Sequence, residues 1–203
     1  MLDPALIAKL TAETHGFKHV QQIGSEILAE GDAKALSQAD ELLESDTYQA
    51  RMCAVYIYGV LSVKRKQAYD VLTHKVLLDA DWRVQEMLAR AFDQYCADRG
   101  YEASLPIIKE WLTAKEANQR RAASEGLRIW TNRPYFRDNP GEAVSLLAAL
   151  KADESKYVRS SAGNALRDIS KKHPELIRKE LQSWDTSDPA VLETYKLASK
   201  FVM

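Results

Sequence analysis

Four nine-residue segments align without gaps: QARMCAVYI from Gln49, VQEMLARAF from Val84, QRRAASEGL from Gln119 and VRSSAGNAL from Val158. Their starts stand 35, 35 and 39 residues apart. The sixth position is always small (Ala54, Ala89, Ser124, Gly163) and the ninth large and apolar (Ile57, Phe92, Leu127, Leu166). A pattern with this period severely limits the fold. One copy cannot bury its apolar face alone, so neighbouring copies must stack, and small residues let their helices approach closely. Apolar periodicity predicts helices over 3–13, 17–29, 32–44, 47–62, 66–78, 81–97, 102–114, 117–129, 141–151, 155–171, 174–183 and 188–201. Breaks fall at Gly31, Gly100, Pro134, Pro140, Pro174 and Pro189, and Asp32 and Ser155 suit N-caps.

The expected fold is therefore all-α. It resembles a HEAT-like repeat α-solenoid of about six antiparallel helix pairs around a concave groove, forming a single domain over 1–203. Apolar residues make up 46% of the chain, enough for a substantial core. The N-terminus MLDPALIAKL lacks a signal-peptide pattern, and no apolar run approaches a membrane span. Cys53 and Cys96 show no paired spacing and read as buried thiols of a cytoplasmic monomer.

A second, polar stripe accompanies the packing face. The third positions of the segments are Arg51, Glu86, Arg121 and Ser160, the seventh Val55, Arg90, Glu125 and Asn164, and the eleventh Gly59, Gln94, Ile129 and Asp168. Residues four apart share a helix face, so these rows are expected to line the groove. Trp82, four before Glu86, joins them. Net charge is −1, but residues 118–137 hold five arginines and one acid, so a neutral total hides a basic stretch. Arg133, Arg137 and Lys156 are candidate phosphate contacts. Lys64, Arg65 and Lys66 fit either that role or a solvated loop. Trp111 and Trp184 read as core, and Trp130 as packing under a long loop.

Phosphate-binding glycine loops, metal-site motifs and nucleophile motifs are absent from the sequence, and of its four histidines only His15 and His19 stand near one another. No metal site and no cofactor are expected. Carboxylates amid arginines and tryptophan remain. Arginine and lysine neutralise phosphates, and an indole offers a flat face to a sugar or base. A carboxylate there opposes the phosphate backbone, unless positive charge develops on the ligand. Cleaving an N-glycosidic bond creates such charge on the sugar, and a carboxylate stabilises it.

The stretches DWRVQEMLARAF (81–92), QRRAASEGLRIW (119–130) and YVRSSAGNALRDISKKHPEL (157–176) resemble the HEAT-like alkylpurine DNA glycosylases of the AlkC and AlkD type. The resemblance implies excision of N3- and N7-alkylated purines from double-stranded DNA without a cofactor. It implies a catalytic carboxylate four residues after a tryptophan, here Glu86 after Trp82, and a DNA-contacting arginine at Arg121. It adds two further carboxylates, matched by Glu125 and Asp168. Asn164 stands where AlkD-type members carry a second tryptophan. Two alternatives stay open: a DNA-binding module without chemistry, and a solenoid that binds a peptide.

Overall fold

The computed structural model describes residues 2–14 and 16–202, so His15 lies outside the described residues. Contacts divide the chain into two compact units, residues 1–98 and 99–203. The first holds α1 (Pro4–Thr11), α2 (Phe17–Leu28), α3 (Asp32–Leu43), α4 (Tyr48–Leu61), α5 (Lys66–His74) and α6 (Trp82–Arg99). The second holds α7 (Leu105–Leu112), α8 (Ala117–Gly126), α9 (Pro134–Asp138), α10 (Pro140–Ala148), α11 (Lys156–Ser170), α12 (Pro174–Leu181) and α13 (Pro189–Ala198). Short 3-10 turns occupy Val76–Leu78 and Trp130–Asn132, and the described residues include no strand. No helix of the described residues is long and apolar enough to cross a membrane.

Each unit is built around one helix buried on most sides. In the first unit α4 packs against α1, α2, α3 and α5, with Met52, Cys53, Ile57, Tyr58 and Leu61 in the core. In the second, α11 packs against α8, α10, α12 and α13 through Val158, Ala162, Ala165, Leu166 and Ile169. Close approach depends on missing side chains. A Cβ on Gly163 would stand 2.8 Å from Leu197 Cβ and 3.0 Å from the Thr194 carbonyl oxygen.

A repeated polar link fixes where each copy begins. Arg51 donates to the carbonyls of Ser45 and Asp46, Arg120 to those of Ala114 and Lys115, and Arg159 to those of Asp153 and Glu154. In every case these are the residues six and five before the arginine. Gln85 takes the same place, donating to the carbonyls of Val76 and Asp79. The guanidinium then reaches the next copy: Arg51 Nε to Asp79 at 2.6 Å, Arg120 Nε to Asp153 at 2.6 Å, and Arg159 to Glu193 at 2.6 Å. Carbonyls of the connecting turns that would lack partners are thereby satisfied, and each arginine ties its copy to the next.

This link corrects the first segment of the sequence alignment by one residue. Arg51 is the equivalent of Gln85, Arg120 and Arg159, so Met52, Tyr56 and Val60 replace Arg51, Val55 and Gly59 on the polar stripe. Burial agrees at two of the three positions, where Tyr56 and Val60 are half-buried while Val55 and Gly59 are buried; at the first, Met52 is buried in the core and Arg51 half-buried in the link.

All twelve expected helices are present, most with shorter ends, although α6 runs on to Arg99 and α10 begins at Pro140. The 66–78 helix divides into α5 and a 3-10 turn, and α9 occupies a stretch read as loop. The prolines at 134, 140, 174 and 189 begin helices, because proline fits the first helical position. Gly31 and Gly100 adopt positive φ, 108° and 92°, at their breaks. Neither expected cap acts through its side chain: Asp32 is already helical behind Gly31, and Ser155 makes no capping bond. Asp3 and Asp188 do cap. Trp111, Trp130 and Trp184 are buried, as are both cysteines, which form no disulfide.

Removing a buried guanidinium from this link strands a buried carboxylate. Arg120→Ala is expected to destabilise the fold by about 3 kcal/mol, measured by urea unfolding. A loss within that of a surface substitution would show that the link is dispensable.

Candidate functional site

Three of the predicted site residues share one face of α6. Trp82, Glu86 and Arg90 stand four apart; Trp82 is 59% exposed, Glu86 half-buried and Arg90 exposed. The turn before α6 fixes this face. Asp79 accepts from Arg51 and, at 2.8 Å, from the Asp81 amide. Asp81 Oδ1 accepts the Arg83 amide at 2.9 Å in the first turn of α6, and its two oxygens take Arg83 Nε at 2.8 Å and Nη2 at 2.5 Å. That hydrogen bonding holds the Asp81 carboxyl below the usual range and raises Arg83, so both stay charged. The Arg83 guanidinium carbon lies 3.5 Å from the centre of the Tyr48 ring and 5.5 Å from that of Trp82. The corrected register makes Tyr48 the equivalent of Trp82 in the preceding copy. The indole is therefore presented beside a stacked arginine rather than alone. At the far end of the face, Arg90 lies over Phe17, 5.2 Å from the ring centre.

The second unit brings Glu125 and Asp168 together through a residue that the sequence reading missed. Arg128 donates from Nη1 to Glu125 Oε1 at 3.0 Å and from Nε to Asp168 Oδ2 at 3.0 Å. Ser161 Oγ donates to the other Glu125 oxygen at 2.6 Å. Lys171 Nζ donates to Asp168 Oδ1 at 3.1 Å, and Arg167 stands 3.5 Å from the same oxygen. Asp168 is 7% exposed. Burial alone pushes its carboxyl up, but Lys171 and Arg128 outweigh burial and hold it below the ordinary range. Burial likewise opposes the charge of Arg128, and Asp168 and Glu125 reverse that effect.

Arg128 reaches both acids because α8 stops at Gly126. The next residue but two, Ile129, lies in the left-handed region at φ 53° and ψ 55°, an unusual place for a β-branched side chain. The reversal also tucks Trp130 into the core, its Nε1 donating to the Ser124 carbonyl at 3.2 Å. The three-residue spacing of Glu125 and Arg128 was the available signal, since such pairs interact near a helix end.

The other predicted residues are placed as follows. Arg121 lies four before Glu125 on α8 and is half-buried; Asn164, four before Asp168 on α11, is half-buried too. Arg133 is half-buried, 3.5 Å from the Gly126 carbonyl. Arg137 is exposed and paired with Asp138, and Lys156 is exposed in the first turn of α11. Among the described residues no group of three or more His, Cys, Asp or Glu side chains could hold a metal ion.

The depressed Asp168 carboxyl has a consequence for stability. Its pairing contributes above the unfolded value, about 3.9, and is lost as pH falls through the lower folded value. Asp168→Asn is expected to destabilise the protein at neutral pH, with the difference from wild type shrinking below about pH 4. Thermal melts between pH 3 and 7 test this; a pH-independent difference would contradict the pairing.

The chain matches the DNA alkylation repair enzyme family over residues 17–195. Its fold is that of AlkD2 from Streptococcus mutans, with a TM-score of 0.93 at 47% identity over 98% of this chain and 96% of that one. Alkylpurine DNA glycosylase AlkC from Pseudomonas fluorescens, solved bound to DNA containing an abasic site analog, shares the fold at 21% identity. Its TM-score is 0.58, over 97% of this chain and 60% of that one. The Bacillus subtilis (strain 168) protein YhaZ is 32% identical over 123 residues, 54% of this chain; that match spans only about a third of YhaZ, 34%. The repeats, the all-helical HEAT-like fold and the match over most of its length show that this chain belongs to the DNA alkylation repair enzyme family.

Proposed function

We propose that the protein is a monofunctional DNA glycosylase. It hydrolyses the N-glycosidic bond of cationic N3- or N7-alkylated purines in duplex DNA, as a cytoplasmic monomer. One observation carries the reading: on α6 a carboxylate, Glu86, stands one turn after a largely exposed indole, Trp82, which is flanked by a stacked arginine. An alkylated purine already carries positive charge and leaves readily, so the step needs little acid catalysis. What it needs is a negative group where the sugar becomes oxocarbenium-like. In this reading Glu86 supplies that charge and orients water, and Trp82 lies against the deoxyribose or base. Arg90, Arg121, Arg133, Arg137 and Lys156 contact phosphates, with Asn164 beside them.

Glu125 and Asp168 receive a different part. Both accept from Arg128, and their other oxygens are taken by Ser161 and Lys171. A carboxylate so engaged has little capacity left for a developing cation. We assign the two acids to holding Arg128 in place. The same engagement favours a second reading, DNA binding without base excision.

Release of N3-methyladenine or N7-methylguanine from methylated duplex DNA separates the two. The first reading expects release by the wild type and a loss of about 100-fold or more in Glu86→Gln. Equal release by both proteins would remove Glu86 from the mechanism. Salt-dependent retention of duplex with no release would establish the second reading.

A further inference from the structure

Charge is divided unequally between the two units. Residues 1–98 contain ten Lys and Arg against fifteen Asp and Glu, a net of −5; residues 99–203 contain eighteen against fourteen, a net of +4, and the two sum to the −1 of the chain. A polyanion is drawn to the second unit, and within it one cluster combines cations with an exposed ring.

Phe201 follows α13 and is 50% exposed. Lys171 Nζ lies 5.3 Å and Lys200 Nζ 5.9 Å from its ring centre. The segment is held in place, because Arg178 Nε donates to the Val202 carbonyl at 2.9 Å. Next along the chain from Lys171, Lys172 reaches Asn132 and is exposed. Asp168, which Lys171 contacts, is buried, so the cluster turns its cations rather than its acid towards solvent. Two ammonium groups beside one ring repel each other, and half of an apolar ring is wetted. Both costs fall when a ligand supplies anionic oxygens for the lysines and a flat face for the ring.

We infer that Lys171, Lys200 and Phe201 form a nucleic-acid contact in addition to the residues assigned above: the lysines bind backbone phosphates and Phe201 packs on a sugar or base. The inference rests on the reading of the chain as a DNA-binding protein. It commits to a nucleic acid rather than an anionic membrane, because one ring gives too little apolar area to insert, whereas stacking on a base needs only one ring.

The test is binding of the full chain to a fluorescent, unmodified duplex carrying a single-stranded overhang, across a series of salt concentrations. Two phosphate contacts fewer in Lys171→Gln/Lys200→Gln should reduce the slope of log affinity against log salt by about 2. Phe201→Ala should weaken binding about tenfold with the slope unchanged, since stacking releases no counterions. Lys9→Gln/Lys34→Gln, in the acidic unit, should leave the slope as it is. Lys200→Gln alone leaves the Asp168 pair intact, so it reports on the cluster even if the double variant folds poorly; its expected slope change is about 1. Unchanged slope and affinity in Lys200→Gln and Phe201→Ala would overturn the contact. So would variants that lose binding only to phosphatidylserine vesicles. Base release assayed on the same proteins keeps the two claims apart. Release with an unaltered slope defeats the contact alone, and an altered slope without release defeats the glycosylase assignment alone.

Discussion

The fold depends on a side chain that finishes its own turn and reaches into the next. Helices of about ten residues are marginal alone, and the turns that join them carry carbonyls that need donors. Arg51, Arg120 and Arg159 donate to the two carbonyls six and five residues back, then to an acid of the following copy. Apolar stacking supplies most of the stabilisation, but apolar contacts tolerate sliding. A charged fork with fixed partners does not, because a slip of one residue would leave buried charges unpaired. The link therefore sets which side chains of the helices it joins face the core and which form the polar stripe.

The consequence for chemistry is clearest at Arg51. The Asp79 that receives it also receives the Asp81 amide, and Asp81 in turn holds Arg83 against Tyr48. The scaffold contact and the support of Trp82 are joined by a chain of hydrogen bonds that ends in the stacking of Arg83 on the rings. Carboxylates that share the repeat pattern meet different surroundings. Asp168 is buried under three cations, while Glu86 shares an accessible face with an exposed indole. In the proposed reading, acids of the same repeat pattern therefore take different parts, Asp168 holding Arg128 and Glu86 facing the ligand.

Much of this was legible in the residues. The period and the helices came from apolar spacing, and the face of Trp82, Glu86 and Arg90 from four-residue steps on one long helix. Burial of Trp111, Trp130 and Trp184 followed from their surroundings. The register of the first copy was misread because Ala54 mimics the small position. A feature that marks it in three of the four copies, an oxygen-bearing side chain six residues before the arginine or glutamine (Ser45, Asp79, Asp153, with Ala114 the exception), is local but easily overlooked. Each of these oxygens accepts the amide two residues on. Arg128 was hidden for a different reason. It lies beyond the end of α8, and only the left-handed Ile129 turn and the packing of α8 on α11 bring it to Asp168. Pro134 and Pro140 read as breaks because proline ends one helix and begins the next equally well.

The central claim is that Glu86 answers a positive charge that exists only as the glycosidic bond breaks. Binding to duplexes carrying a cationic pyrrolidine sugar mimic, compared with the neutral tetrahydrofuran analogue, tests it most directly. Preference for the cationic duplex by about 100-fold or more, abolished in Glu86→Gln, is the predicted result. Equal affinity for the two duplexes, or a preference that survives loss of the carboxylate, would contradict it.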